Sequence, residues 1–323
     1  MIGLVTSADM RSGKKGPYLS FDLKTPVGSE HIMIFRIPNV SSPKLPRKGD
    51  YIQFELDGPG VRDQRHTDFK SISLEMESFV KIDAETLDPD LKETLSEVPK
   101  ASDEDMEEAY KNILDRKLYK HPTTLALVEL CLKKVAKDFY RHPAAKSVHH
   151  ACVGGLIVHT SQVLTICKGI VSTFPWAEMI NTDLVYAGAT LHDIGKTKTY
   201  GFDEIGMPTK RATEDMIGHI FCSMDHIIQT NNELKTPVSE QFLNELLHII
   251  ASHHGTKEFG TIKEPGTPEA YIVSLADYLG SRMGIIETKI ESIKKKKSNQ
   301  EETWTDYKNK YIMSETMKGL LDG

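Results

Sequence analysis

The sequence predicts a multidomain chain, with a small all-β barrel at the N-terminus followed by an all-α helical bundle. Three observations carry this reading. Residues 1–82 hold short β-branched and aromatic runs, residues 83–102 are acidic and contain Pro89 and Pro99, and from Ser102 onward apolar residues recur at helical spacing. A length of 323 residues suits two domains at ~100–200 residues each. With 39% hydrophobic and 27% charged residues, the chain can bury a sizeable core, which excludes wholesale disorder.

Five runs in the first segment read as strands: Ile2–Thr6, Tyr18–Leu23, His31–Ile37, Tyr51–Leu56 and Ser71–Val80. Turn material separates them, namely SGKKGP, TPVGS, PNVSSPKLPRKGD and DGPG. Five short strands in about 80 residues suit a small Greek-key barrel of the OB type, and an SH3-like barrel would leave a similar pattern. Residues 83–102 read as a solvated acidic linker, because residues 83–108 carry 11 acids against 2 lysines.

Beyond it, Ser102 is a plausible N-cap followed by acids that suit a helix dipole. Helices are expected over roughly 103–117, 122–140, 149–173, 182–195, 214–231, 239–253 and 268–291. Ser239 and Thr267 supply caps, Pro268 sits at a first helical position, and Gly255 follows a helix end. Residues 294–323 form a basic and polar extension opened by KKKK.

Bulk properties exclude several classes. A net charge of −6 argues against coating nucleic acid by charge alone, although residues 1–82 carry 12 basic against 10 acidic residues. Cys131, Cys152, Cys167 and Cys222 form no CxxC pair and read as reduced thiols of a cytoplasmic protein. The opening MIGLVTSADMRSGKK lacks an apolar signal region, and no run approaches ~18 apolar residues, so no membrane partner is expected. There is no G-x4-GK-[ST] phosphate-binding loop, no nucleophile elbow and no dinucleotide fingerprint.

Histidine is distributed unevenly. Eleven of the 13 lie between His121 and His254. His159 falls in GGLIVHTSQVL, His192 and Asp193 in LVYAGATLHDIGK, His219 in IGHIFCSM, His253 and His254 in LLHIIASHHG, and Asp277 in IVSLADYLG. Adjacent helical residues point about 100° apart, so His192 and Asp193 can reach one centre only where their helix ends, and Gly195 is expected to end it. Each group sits among apolar neighbours, and a buried imidazole or carboxylate is costly unless it is paired or metal-bound. Five histidines and two carboxylates suit manganese, iron, cobalt, nickel or zinc rather than calcium. His121, His142, His226 and His248 are read as structural.

The skeleton H…HD…D resembles that of the HD-domain metal-dependent phosphohydrolases. HPAAKSVHHACVGGLIVHTSQVL, DLVYAGATLHDIGK, IGHI, SHHGTKEFG and PEAYIVSLADYLGSRM narrow the resemblance to the bacterial YhaM-type 3′→5′ exoribonucleases, in which an OB-fold precedes the HD domain. The resemblance covers residues 85–290 and implies an HD domain over 103–293. It implies two divalent transition-metal ions, with manganese first in expectation. His159, His192 and Asp277 would hold one, His219, His253 and His254 the other, and Asp193 would bridge them around an activated water or hydroxide. Asp193 and Lys196 would be catalytic, the lysine steadying a phosphate oxygen or leaving group. His149 and His150, ahead of Gly154–Gly155, would touch substrate or support the ligands. The implied substrate is single-stranded RNA, or DNA, trimmed from its 3′ end, and a homo-oligomer is left open.

An OB-type barrel would bind such a strand by stacking bases on exposed aromatics beside basic residues. Candidates are Tyr18, Phe21, Phe35, Tyr51, Phe54 and Phe69, with Arg11, Lys14, Lys15, Arg36, Arg62 and Arg65; half or more of these aromatics must fill the core. Of these, Tyr18, Phe35 and Arg36 are the retained substrate-binding candidates. The barrel departs from the subgroup: FRIP places Arg36 where an aromatic is expected, and RHTDFKSISLEME lacks the basic–Gln pattern. A hydrolase of cyclic nucleotides or short oligonucleotides therefore stays open, as does a non-catalytic nucleotide sensor.

Overall fold

A computed structural model describes residues 1–65, 70–146, 149–174, 177–296, 303–306 and 309–312. The sequence-predicted candidate Phe69, His66 and most of the 294–323 extension lie outside these. The chain divides into two compact units, one comprising Met1–Glu97 with Lys289–Gly323, the other Val98–Thr288.

The first unit is built on one curled seven-stranded sheet, ordered β5-β6-β3-β2-β1-β4-β7. Its strands are β1 (Ile2–Gly13), β2 (Gly16–Thr25), β3 (Gly28–Ile34), β4 (Tyr51–Phe54), β5 (Val61–Asp63), β6 (Ile72–Leu74) and β7 (Phe79–Ile82). The fifth sequence-predicted strand is divided. A turn in which Ser78 donates its amide to the Glu75 carbonyl breaks it. Its first part runs parallel to β3 and its second antiparallel to β4. One interrupted run thus serves both sides of the curled sheet, and β5 is an additional strand against β6.

The segment expected to be turn material between β1 and β2 is mostly strand. Pairing continues to Gly13↔Gly16, so only Lys14 and Lys15 form the tip. Alternation places Leu19, Phe21, Leu23, Ile32 and Ile34 in a core with Ile52, Phe54 and Ile72. The expected linker also differs: α1 (Pro89–Ser96) forms within it, capped by Asp88, and buries Leu95. Tyr51 and Ser96 share a hydroxyl hydrogen bond of 2.9 Å. Acidic composition concealed this helix because only one of its residues is buried. β10 (Thr303–Asp306) and β11 (Asn309–Ile312) pair as a hairpin.

The second unit is helical. Its elements are α2 (Asp103–Ile113), α3 (Pro122–Arg141), α4 (Gly155–Thr173), α5 (Thr182–Leu191), α6 (Lys196–Thr199), α7 (Ala212–Met216), α8 (Gly218–Glu233), α9 (Glu240–Ser252) and α10 (Pro268–Lys296) as far as Thr288. A small hairpin, β8 (Tyr200–Phe202) with β9 (Pro208–Lys210), follows α6. α5 is the central rod: Leu184, Val185, Ala187, Ala189 and Leu191 are all buried. A Cβ at Gly188 would lie 2.6 Å from Ile249, so glycine lets α9 cross closely. Among the described residues α4 alone is long and apolar enough to cross a membrane, yet half of it is buried within the protein as a core helix. It begins at Gly155 rather than at 149, because Gly154 is left-handed at φ 79°.

The histidines read as structural have identifiable partners. His226 donates to the Cys131 carbonyl at 3.0 Å, and His248 accepts the Gly266 amide at 2.9 Å. Arg211 donates to His142 at 3.3 Å. Asp183, buried in α5, accepts the amides of Lys120 and His121 and the His121 ring at 2.8, 2.9 and 3.0 Å. Asp183→Ala is expected to destabilise the helical unit by about 3 kcal/mol, because three donors lose a charged acceptor and two are backbone amides. Urea denaturation followed by circular dichroism checks this.

Candidate metal centre

The centre forms where α5 stops. The helix ends at Leu191, and His192 and Asp193 lie in the turn that leads to α6. Gly195 has a different role from the helix-ending one expected. Its φ of −65° is ordinary for any residue. What requires glycine is space, since a Cβ there would lie 2.2 Å from the His219 carbonyl oxygen and 2.5 Å from the Ser223 amide. Ser223 fastens this approach. Its hydroxyl donates to the His192 carbonyl at 3.0 Å and accepts the Gly195 amide at 2.8 Å. The His–Asp turn is therefore pinned against α8, the helix that carries His219.

Five histidines and two aspartates converge there as two groups, His159–His192–Asp277 and His219–His253–His254. Within the first, His159 Nε2 lies 3.3 Å from His192 Nε2 and 3.1 Å from Asp277 Oδ1. Within the second, His219 Nε2 lies 3.3 Å from His254 Nε2. Asp193 stands between the groups. Its Oδ2 is 3.3 Å from His192 and 3.5 Å from His159, and its Oδ1 is 3.5 Å from His219 and 3.7 Å from His253. Lys196 is no surface lysine: it is buried, with Nζ 2.7 Å from Asp193 Oδ2.

The outer nitrogens fix the direction of the inner ones. His192 Nδ1 donates to the Ala189 carbonyl at 2.8 Å, His253 Nδ1 to Ile250 at 2.7 Å and His254 Nδ1 to Phe259 at 2.8 Å. His219 Nδ1 donates instead to the Glu214 carboxylate at 2.9 Å. A carbonyl oxygen can only accept, so these imidazoles carry their proton on Nδ1 and turn the Nε2 lone pair inward. His219 and His254 then oppose two lone pairs at 3.3 Å. That arrangement is repulsive without a cation between them and is the usual way a protein orients metal-binding imidazoles. Asp193 Oδ1 and His253 Nε2 are buried with no hydrogen-bond partner, as a site built for a cation requires. The residues fit divalent metal ions of the imidazole- and carboxylate-binding kind.

Electrostatics agree with the geometry. Burial opposes the Asp193 carboxylate, but Lys196 and His192 outweigh it and hold the group well below the usual range. Burial likewise opposes Asp277, and His159 and His192 keep it ionised. Burial pushes His253 and His254 below the ordinary imidazole value, with neighbouring imidazoles adding to the effect. His159 is raised: burial works against its cation, and Asp193 and Asp277 prevail.

His149 and His150 adjoin this centre, each ring centroid 5.7 Å from that of His159. His150 adopts φ +50° and bonds Gln162 through Nε2 at 2.9 Å. Gly155 must be glycine, because a Cβ would lie 1.9 Å from the His150 carbonyl oxygen. Burial lowers His149 to about 3 and His150 to about 4, so both rings are neutral near pH 7.

Of the aromatic candidates in the first unit, Phe21, Tyr51 and Phe54 are core residues. Tyr18 and Phe35 stack at 5.4 Å between centroids, and Phe35 is exposed. The pairing Arg11↔Tyr18 puts an arginine beside this stack. Arg36 is exposed in a left-handed conformation at φ +57°. Arg65 is engaged with Asp63 and Glu30. Two contributors to the centre escaped sequence reasoning, Glu214 and Ser223. Glu214 acts through its bond to His219 and Ser223 through its bonds to His192 and Gly195, none of which periodicity announces.

A buried centre of five histidines and two aspartates inside a helical bundle could hold metal ions. Residues 156–281 match the HD domain family, and the helical unit carries an HD domain. The chain is similar to the 3′-5′ exoribonuclease YhaM of Bacillus licheniformis, at 32% identity over 178 residues, or 54% of each chain. It is 33% identical over 178 residues to the Bacillus subtilis enzyme of that name, again 54% of each. The counterpart from Halalkalibacterium halodurans is 30% identical over 198 residues, 60% of this chain and 58% of the relative. The chain thus spans a little over half the length of the curated relatives it matches.

The close approach at Gly195 yields a contrast. Gly195→Ala is expected to destabilise the protein by about 2 kcal/mol or more through overpacking against α8 backbone. Gly169→Ala, at an exposed position of α4 with nothing within 4 Å of the new Cβ, is expected to stabilise it by up to ~1 kcal/mol. Paired thermal unfolding curves check the opposite signs.

Proposed function

We propose that this protein is a metal-dependent phosphodiesterase that removes nucleotides from the 3′ end of single-stranded RNA, with two divalent cations, manganese first among them, as cofactors. The observation that carries the reading is the division of Asp193, one oxygen toward each histidine group. The resemblance to 3′-5′ exoribonucleases supports the direction and the polymer substrate.

Bound cations would lower the pKa of water and neutralise charge on the phosphodiester. His159, His192 and Asp277 would hold one, and His219, His253 and His254 the other. Asp193 would join them and keep both in one fixed relation to the phosphate. Lys196, held at Asp193, presents a mobile positive charge beside the same carboxylate and would steady a phosphate oxygen or the departing oxygen. His149 and His150, being neutral, can donate or accept a hydrogen bond to the sugar or phosphate without adding charge. In the first unit, Tyr18 and Phe35, flanked by Arg11 and Arg36, offer a stacking surface with cationic edges suited to a single strand.

Metal analysis, labelled strands and an Asp193 variant test the proposal. Elemental analysis of protein loaded with manganese is expected to give about two equivalents. A 5′-labelled single strand should shorten stepwise from its 3′ end, and a 3′-labelled strand should release mononucleotide first. Asp193→Ala should lower the rate by at least about 10³-fold while the helical circular dichroism is retained. Turnover of a cyclic dinucleotide with no activity on any oligonucleotide would overturn the polymer reading.

Glu214 gives an independent check on the metal part. Glu214→Gln keeps a hydrogen-bond acceptor for His219 but removes its charge, and manganese affinity of the weaker site is expected to fall about 10–100-fold. Calorimetric titration with manganese reads this without substrate.

A further inference from the structure

The seven converging side chains are unequally covered. His159, His192, Asp193 and His253 are all buried, whereas His254 and Asp277 are only partly so. The centre is therefore open on the side of those two residues. Each carries an exposed aromatic neighbour. Phe259 supplies the carbonyl that receives His254 Nδ1, and its ring is 49% exposed. Tyr278 follows Asp277 in α10 and is 44% exposed. The two rings approach to 6.2 Å between centroids at 41°. One helical turn on, the Arg282 guanidinium lies over the Tyr278 ring, 5.0 Å from its centroid.

α10 explains why this pair faces outward. A Cβ at Gly280 would touch Val163 and Ile166 of α4, and one at Gly284 would crowd His149. With that face turned toward α4 and the centre, Tyr278 and Arg282, spaced i and i+4, form the adjoining stripe. Single exposed apolar residues are ordinary on a protein surface; what singles out this pair is that two rings in mutual contact adjoin the open side of the centre and offer π-faces there. A guanidinium beside them adds attraction for phosphate. A groove along α2, α4 and α10, about 780 Å³, is a poor alternative path. Asp105, Glu108, Asp115 and Glu287 line it, with Lys111 as its basic lining residue, and they would repel a phosphodiester backbone.

We propose that Phe259, Tyr278 and Arg282 form a nucleotide subsite at the open side of the centre, the rings stacking the 3′-terminal base and the guanidinium holding an adjacent phosphate. The inference rests on the nuclease reading and deepens it. Stacking is tolerant of base identity, so the subsite accepts every base but not the lack of one.

The test compares two single strands that differ only in their 3′-terminal unit, an ordinary nucleotide or an abasic one. Full-length protein loaded with manganese should remove the ordinary unit with kcat/KM about tenfold higher or more. In Phe259→Ala/Tyr278→Ala the ratio should fall toward one, chiefly through KM for the ordinary strand. Tyr278→Phe should keep the wild-type ratio, which separates loss of a stacking face from loss of fold. Arg282→Ala should weaken both strands. A wild-type ratio near one, or a double variant that keeps the wild-type ratio, overturns the subsite. Failure of the wild type on both strands instead overturns the nuclease reading.

Discussion

The constraint on which the helical unit depends is the burial of one carboxylate, Asp193, between two sets of imidazoles. An ionised carboxylate withdrawn from water is costly unless opposite charge and hydrogen bonds compensate. Lys196 supplies part of that compensation, neutralising one oxygen at 2.7 Å. Four imidazole Nε2 atoms lie 3.3–3.7 Å from the two oxygens, and those of His192, His219 and His253 turn lone pairs toward them. Asp193 Oδ1 still has no hydrogen-bond partner. A carboxylate so placed calls for further positive charge beside it, and the residues that would hold such a cation come from five elements that must meet there.

The backbone shows how that meeting is achieved. His192 and Asp193 could not both point inward from a continuing helix, so α5 ends one residue before them. The freed turn is then held from outside by Ser223, which bonds residues on both sides of Asp193. Gly195 permits α8 to come close enough for His219 to reach the opposite oxygen. Ligand direction and helix packing are thus one problem, and a methyl group at position 195 would disturb both.

Much of this was legible in the sequence, and the exceptions share a physical cause. Alternation located β2, β3 and β4, and helical spacing located α3, α5, α8, α9 and α10, because each buries a regular face. The converging His and Asp residues stood out because polar groups embedded in apolar runs need partners. What escaped depended on contacts across the chain or on conformation at single residues. No Gly, Pro or Asn marks the turn at Glu75–Ser78 inside the 71–80 run, and nothing local marks the left-handed Gly154 that delays α4 or the helix hidden in an acidic stretch. Glu214 lies beside a second acid in ATEDM, and only the 2.9 Å bond to His219 distinguishes it. Gly195 was visible but misread, since a glycine that ends a helix and one that admits a neighbour look alike in one dimension.

The two histidine groups are chemically unequal, and Glu214 bears on that difference. His159, His192 and Asp277 include a carboxylate of their own, in addition to their share of Asp193. His219, His253 and His254 have only imidazoles, and two of those donate their outer proton to neutral carbonyls. Three neutral nitrogens and half a shared carboxylate leave a divalent charge less well balanced than in the other group. The Glu214 carboxylate on His219 Nδ1 redresses part of this, because a proton drawn toward an anion makes the remaining nitrogen more basic. Both groups reach the open side, this one through His254 and the other through Asp277, so exposure does not separate them. An all-imidazole pocket with only a remote anion should bind its cation more weakly and exchange it faster than the carboxylate-bearing pocket. If the proposed chemistry needs both cations, the weaker pocket would limit it, and substitutions in the α7–α8 segment would then weigh more than those at Asp277.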